Sequence, residues 1–204
     1  MNVIERQSSR TRTGSLALIV AGLFGPVSAV FLSVVPPAVP AERFSYPLDA
    51  GGHTAIQIVF FVYHLALAWG LWAVWRSGAA GHSRLATIGG VGSVVSMVLL
   101  ACQELVAISA ATAVYPSTTA DTVGGVYGVI SILNGLALIL LGVAVLRARR
   151  WSGWARWLPL VLGVYVIVPL TPAIFGPFVL ARLTIGVWVL LFAALGWALS
   201  RESR

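Results

Sequence analysis

The chain has 204 residues, of which 59% are hydrophobic and only 9% are charged, with a formal net charge of +7. A soluble domain carries about 25% charged residues, so this composition predicts an integral membrane protein. All 13 basic residues are arginines, which excludes chemistry that depends on a Schiff-base lysine. The single cysteine, Cys102, excludes a disulfide within the chain and a zinc site built from cysteines.

Six apolar stretches are each about long enough to cross a bilayer as a helix. They cover residues 15–36, 54–75, 85–111, 123–146, 157–175 and 177–200. The first is longer than the apolar core of a signal peptide, so we interpret it as a retained span, bent at Gly25-Pro26. The "FGPF" turn predicts that the last two spans form a hairpin, with Gly176 in an unusual φ and Pro177 starting the final helix.

The expected fold is therefore all-α, a polytopic membrane protein with six transmembrane helices. A single transmembrane domain over residues 15–200 lies between short tails, residues 1–14 and 201–204. Arginine in the short loops sets the orientation, because loops rich in arginine stay in the cytoplasm. Both termini are predicted to be cytoplasmic, which places eleven of the 13 arginines on that side: Arg6, Arg10, Arg12, Arg76, Arg84, Arg147, Arg149, Arg150, Arg156, Arg201 and Arg204.

Small residues predict where helices touch. The third span carries overlapping pairs of small residues four apart, Gly89 with Ser93 and Gly92 with Ser96, and the fourth carries a glycine every seven residues, at Gly128, Gly135 and Gly142. Such patterns let helix backbones approach closely in lipid. They predict a central position for the third and fourth spans, and they also suit a homo- or hetero-oligomer contact through the same glycine-rich faces.

Two charged residues lie inside predicted spans, Glu104 in the third and Arg182 in the last. A charge deep in a bilayer costs on the order of 2.5–3.5 kcal/mol on insertion scales, so each needs a partner, a cavity or water. Counted from the outer ends of their helices, both lie roughly 8–10 Å deep. The matching depth predicts an interhelical ion pair, which is either a structural lock or part of a functional site.

Further polar residues are spaced so that they share faces of their helices. Gln57 and His64 lie seven apart on the second span, and Tyr127 and Asn134 lie seven apart on the fourth. Together with Gln103, Glu104 and Arg182 they are predicted to line a ligand-binding pocket that opens at the outer surface, with His64 and Asn134 as its floor. The outer loops at residues 36–54 and 111–125 would form the mouth, and Arg43 and Asp121 could extend the charged network.

Several kinds of site are excluded. No metal-ligand spacing occurs around His53 or His64, a bis-histidine haem would need a second deep histidine, and P-loop and GxSxG motifs are absent. We therefore predict no metal and no cofactor. No nucleic-acid partner is expected either, because the arginines sit at the ends of spans, where they contact anionic headgroups, and do not form a basic stripe with aromatic residues.

The segments "WSGWARWLPL" and "LTPAIFGPFVLARLTIG" resemble those of uncharacterised small six-span integral membrane proteins of high-GC bacteria. That resemblance implies no activity. Three functions remain open: a plasma-membrane protein that binds a lipid-like or small amphipathic ligand, an intramembrane enzyme that uses Glu104 as an acid on an isoprenoid or lipid substrate, and an accessory subunit of a larger complex. Membrane lipids are the expected surroundings in each case.

Overall fold

The computed structural model describes residues 3–202, with side chains from residue 9 onward. The prediction of six spans is confirmed, because six helices are long and apolar enough to cross a membrane. Apart from one isolated bridge between Arg43 and Val114, the described part of the chain is free of β-structure. The side chain of Arg6 and the whole of Arg204, both counted above as cytoplasmic, lie outside the described residues.

The six spans differ in how regular their helical backbone is. Four of them are single α-helices, namely α1 Val3–Val34, α2 Ala50–Arg76, α3 Arg84–Ile108 and α4 Thr118–Ala148. The fifth span, Ala155–Ile174, combines a 3₁₀ turn (Ala155–Trp157), α5 (Leu158–Tyr165), a π-helical segment (Val166–Leu170) and α6 (Thr171–Ile174). The sixth span is α7, Phe178–Glu202. The helix α1 continues through Pro26.

The helices pack largely in chain order, and α7 then closes the bundle against α1. Small residues make these contacts close. A Cβ added to Gly89 of α3 would overlap the backbone of Leu141 in α4, and one added to Gly22 of α1 would overlap the backbone of Ala193 in α7. Ser15 adds a hydrogen bond across the α1–α7 contact, from its Oγ to the Gly196 carbonyl at 2.9 Å. The close approach predicted from the small residues of the third span is therefore present, and its partner is α4.

The predicted hairpin of the last two spans is present but is not the main contact of α7, which packs much more extensively against α1 than against the fifth span. The expected unusual φ at Gly176 is wrong, because the positive-φ glycines among the described residues are Gly78, Gly81 and Gly153. Gly176 is instead confined by space: an added Cβ would lie 3.3 Å from the Ala173 carbonyl oxygen. The turn therefore selects a small residue for packing and not for backbone conformation.

Most of the arginines lie at one end of the bundle because consecutive spans alternate in direction. Several of them stack on tryptophan rings at that end. The guanidinium carbon of Arg201 lies 4.3 Å from the ring centroid of Trp197, and that of Arg10 lies 5.6 Å from Trp72. Tryptophan and arginine are both favoured at a membrane interface. This end of the bundle therefore carries the residue types that are favoured beside lipid headgroups.

Candidate functional site

Glu104 lies in the half of the bundle opposite the arginine-rich end, on the face of α3 that turns towards α2 and α4. Its side chain is buried. The Tyr127 hydroxyl, from α4, donates a hydrogen bond of 2.7 Å to Glu104 Oε2. Gln57, from α2, donates in turn from Nε2 to the Tyr127 oxygen at 3.1 Å. Three helices thus converge on one carboxyl group, with the hydrogen bonds running from Gln57 to Tyr127 to Glu104.

The second oxygen of Glu104 faces a histidine. His64 Nδ1 lies 3.3 Å from Glu104 Oε1 and 2.9 Å from the Phe60 carbonyl oxygen, while His64 Nε2 lies 3.2 Å from the Tyr63 hydroxyl. A proton on Nδ1 is donated to the Phe60 carbonyl, and Nε2 then accepts from Tyr63; this tautomer is assigned from the hydrogen-bond network. Buried His64 lies within ion-pair distance of Glu104, and it forms an ion pair with the carboxylate only when Nε2 also carries a proton.

The predicted direct ion pair between Glu104 and Arg182 is wrong. Among the described residues, the basic group within ion-pair distance of Glu104 is His64, and no carboxylate lies at that distance from Arg182. The Arg182 guanidinium instead lies over the Phe178 ring, with its carbon 5.0 Å from the centroid. It still acts through space on Glu104, Tyr127 and Tyr63. Matching depth therefore did not make the two residues direct partners.

The structure brings together Gln57, His64, Glu104 and Tyr127, with Arg182 in their electrostatic neighbourhood. It places the other two predicted residues elsewhere. Asn134 is fully buried between α3 and α4, where its Nδ2 donates to Ser96 Oγ at 2.9 Å and to the Ser93 carbonyl at 3.3 Å. Gln103 donates to the Val123 carbonyl at 3.1 Å. Both side chains tie α3 to α4, and neither contacts the Glu104 cluster through these bonds.

The loops at residues 36–54 and 111–125, which were expected to form an open mouth, pair with each other at the end of the bundle opposite the arginine-rich end. Their backbones pair, through bonds from Phe44 N–H to the Ala113 carbonyl and from Tyr115 N–H to the Glu42 carbonyl, at 2.9 and 2.8 Å. The Phe44 ring stacks on Tyr115, with centroids 5.9 Å apart. Arg43 donates to the Thr112 carbonyl at 2.9 Å, so it stabilises this cover of paired loops and does not extend the charged network as expected.

Asp121, the other residue expected to extend the network, acts on Tyr115 in the cover instead. Burial raises the pKa of the Tyr115 hydroxyl, and the nearby negative charge of Asp121 raises it further. His53, at the outer end of α2, is also buried under the cover, with its ring against Phe44 and its Nε2 3.3 Å from the Ala107 carbonyl. The end of the bundle opposite the arginine-rich end is therefore closed by paired loops and aromatic rings.

Tyr63 is the site residue that sequence reasoning missed. Neighbouring residues on a helix point about 100° apart, so the spacing argument that joined Gln57 to His64 gave no reason to include it. The Tyr63 and His64 rings nevertheless tilt together, with centroids 4.2 Å apart, and Phe24 and Phe60 pack on the Tyr63 ring. The signal available in the sequence was Tyr63 itself, an aromatic residue with a polar hydroxyl group directly next to His64.

In the part of the chain that the structure describes, no three His, Cys, Asp or Glu side chains are grouped so that they could hold a metal ion. Comparison with other proteins adds no activity, because no family model, curated protein or solved structure matches the chain. Its chemistry has to be argued from the side chains themselves.

Proposed function

We propose that this protein binds a lipid-like or small amphipathic molecule in the outer leaflet of the plasma membrane, with its headgroup between Glu104 and Arg182. The observation that carries the proposal is the separation of these two charges. In a medium of low dielectric, opposite charges that served only to lock two helices would gain most by closing to contact. Here Glu104 is bound by Tyr127 and His64, and no carboxylate is paired with Arg182 among the described residues.

A bound headgroup would supply a partner for Arg182 and a further partner for Glu104. An anionic group accepts from Arg182, and a hydroxyl or ammonium group donates to the carboxylate of Glu104, alongside Tyr127. Aromatic rings around Tyr63 and over Arg182 provide an apolar wall for the remainder of the molecule. The polar groups are few and come from separate helices, which is typical of a small-molecule site.

Arg182→Gln and Glu104→Gln are each expected to reduce the amount of amphiphile that co-purifies with the protein by about ten- to a hundred-fold, because each removes a charge-assisted bond. The measurement is mass spectrometry of lipids extracted from protein purified in a non-ionic detergent. Arg201→Gln and Glu202→Gln are the matched controls, since they make the same chemical changes at the opposite end of α7. Equal amphiphile in all four variants would contradict the proposal.

The same preparations test the enzymatic alternative, which has its own supporting observation. Glu104 is joined through Tyr127 to Gln57 and through His64 to Tyr63, and such a network could resupply a proton that the carboxyl group gives to a substrate. In that case the extracts of the unsubstituted protein would contain a product that is absent from those of Glu104→Gln. A bound molecule identical to one in the surrounding membrane supports binding without conversion.

The proposal also includes the orientation, with both termini and the arginine-rich end in the cytoplasm. We expect a membrane-impermeant thiol reagent to label Thr119→Cys in intact cells but not His82→Cys, both in a Cys102→Ala background. Both side chains are exposed and lie at opposite ends of the bundle. Labelling of the His82 variant alone would reverse the orientation and move the site to the inner leaflet.

A further inference from the structure

A cavity of about 290 Å³ lies at the arginine-rich end of the bundle, between the turn that joins α2 to α3 (residues 77–83) and the last turn of α4. Its lining includes His82 and Ser83 from the turn, Leu85 from the start of α3, and Ala144 and Arg147 from the end of α4. Small-molecule pockets usually measure about 300–1,000 Å³, so this cavity has the size for a small group such as a lipid headgroup.

The wall that the turn contributes is held in place against α4. Gly78 and Gly81 have φ angles of 81° and 71°, a conformation that favours glycine and lets the chain fold back on itself. A Cβ added to Gly81 would lie 3.5 Å from Ala148 Cβ, so the turn rests on the end of α4. Arg150 Nη1 donates to the Gly78 carbonyl at 3.0 Å. A ligand of this cavity would therefore meet walls that are already ordered, which lowers the entropic cost of binding.

The polar side chains of the cavity are hydrogen-bond donors. Ser83 caps α3, and its Oγ accepts from the Ala86 N–H at 3.2 Å, which leaves the hydroxyl proton for another acceptor. Arg147 brings a permanent positive charge and five N–H donors, and His82 brings at least one ring N–H. Among the described residues, no carboxylate lies within ion-pair distance of Arg147. The cavity thus offers positive charge and donors without a negative partner.

The acidic residues of the chain do not neutralise this charge. Of the six acidic residues, four lie in the opposite half of the bundle, and the side chain of Glu5 lies outside the described residues. The described acid at the arginine-rich end is Glu202, which accepts from the Ser152 hydroxyl at 3.0 Å. Neither Glu202 nor Ser152 lines the cavity. The local field therefore favours an anion.

We propose that this cavity binds a phosphate group, held by Arg147, His82 and Ser83. Guanidinium, imidazole and hydroxyl groups are all donors to phosphate oxygens, and the guanidinium can donate two parallel bonds. This second site goes beyond the proposed function, since it lies at the other end of the bundle and shares no residue with the Glu104 cluster. The phosphate can belong to an anionic lipid of the adjoining leaflet or to a soluble compound. Leu85 and Ala144 add apolar surface that a lipid would contact.

The test measures thermal unfolding of the full chain in non-ionic detergent at about 0.15 M salt, where diffuse attraction between exposed charges is screened. The probes are dioctanoyl phosphatidylglycerol, dioctanoylglycerol, which lacks the phosphate, and inorganic phosphate. We expect the unfolding temperature to rise with at least one phosphate probe and to stay unchanged with dioctanoylglycerol. Stabilisation by phosphatidylglycerol alone identifies a lipid site, and equal stabilisation by inorganic phosphate identifies a soluble ligand. Stabilisation by neither phosphate probe would overturn the inference.

Substitutions then locate the binding. Arg147→Gln should weaken the apparent affinity for the stabilising probe by about tenfold or more, because it removes a charge-assisted contact. The matched control is Arg156→Gln, which removes the same charge from an exposed arginine at the same end but outside the cavity lining. Equal losses in these two variants would mean diffuse attraction to the arginine-rich end and would overturn the inference.

Two further variants keep the result decisive. If Arg147→Gln folds poorly, His82→Ala, a change at an exposed turn residue, should still lower the affinity severalfold, and unchanged affinity in that variant contradicts the inference. Arg182→Gln should leave this affinity unchanged, because Arg182 belongs to the site at the opposite end. A loss in Arg182→Gln with normal binding in Arg147→Gln would assign the phosphate to the Glu104 site, so the proposed function would stand and this second site would not.

Discussion

Gly142→Leu is expected to lower the free energy of unfolding by about 3 kcal/mol, the upper part of the usual range for an overpacked contact. The reason is that an added Cβ would overlap the backbone of Leu160 in the fifth span. Backbone atoms of two packed helices cannot rotate away as a side chain can, so the helices must separate. Equilibrium unfolding in mixed detergent micelles would measure the change.

Gly128→Leu is the matched control, with the same substitution in the same helix and the same seven-residue series. Because nothing lies within 4 Å of its added Cβ, we expect its stability to stay within about 0.5 kcal/mol of that of the unsubstituted protein. Equal losses in the two variants would show that the fifth span packs on α4 as closely beside Gly128 as beside Gly142.

The second large effect concerns the hydrogen bond between Tyr127 and Glu104. Tyr127→Phe is expected to cost about 2 kcal/mol of stability, since it removes a charge-assisted bond and leaves both the Glu104 carboxylate and Gln57 Nε2 short of a partner. Glu104→Gln should be milder, because the amide oxygen still accepts from Tyr127. Tyr63→Phe tests the specificity of the result, since that hydroxyl contacts His64 and not the carboxylate.

A double-mutant cycle then assigns the partners of the carboxylate. Combining Glu104→Gln with Tyr127→Phe should give a loss clearly smaller than the sum of the single losses, since the two groups touch. Glu104→Gln combined with Arg182→Gln should come closer to additivity, because these groups interact only through space. If Glu104 is coupled more strongly to Arg182 than to Tyr127, the two charges form a structural ion pair that holds their helices together.

The hairpin of the last two spans and the glycine series of α4 are two features for which the sequence did not predict which helices pack together. The series predicted that helix backbones could approach closely at Gly128, Gly135 and Gly142, but a periodic pattern describes one helix and says nothing of whether its neighbour stays straight. The contact extends from Gly142 to Gly135, which meets the first residue of the π-helical segment, and does not reach Gly128. Likewise, the short turn at Gly176 makes the last two spans neighbours, yet the glycines of α1 and α7 allow the closer packing between those two helices.

The sequence by itself determined the six apolar helices and the arginine-rich end, because hydrophobic length and the position of a charge relative to a helix end are properties of single segments. It also grouped Gln57 with His64 through helical periodicity. Only the tertiary structure decided that Glu104 binds Tyr127 and His64 and not Arg182, and that Asn134 and Gln103 join α3 to α4. The physical reason is that depth gives one coordinate of a side chain, while its partners depend on the rotation and neighbours of its helix, which packing of the whole bundle sets.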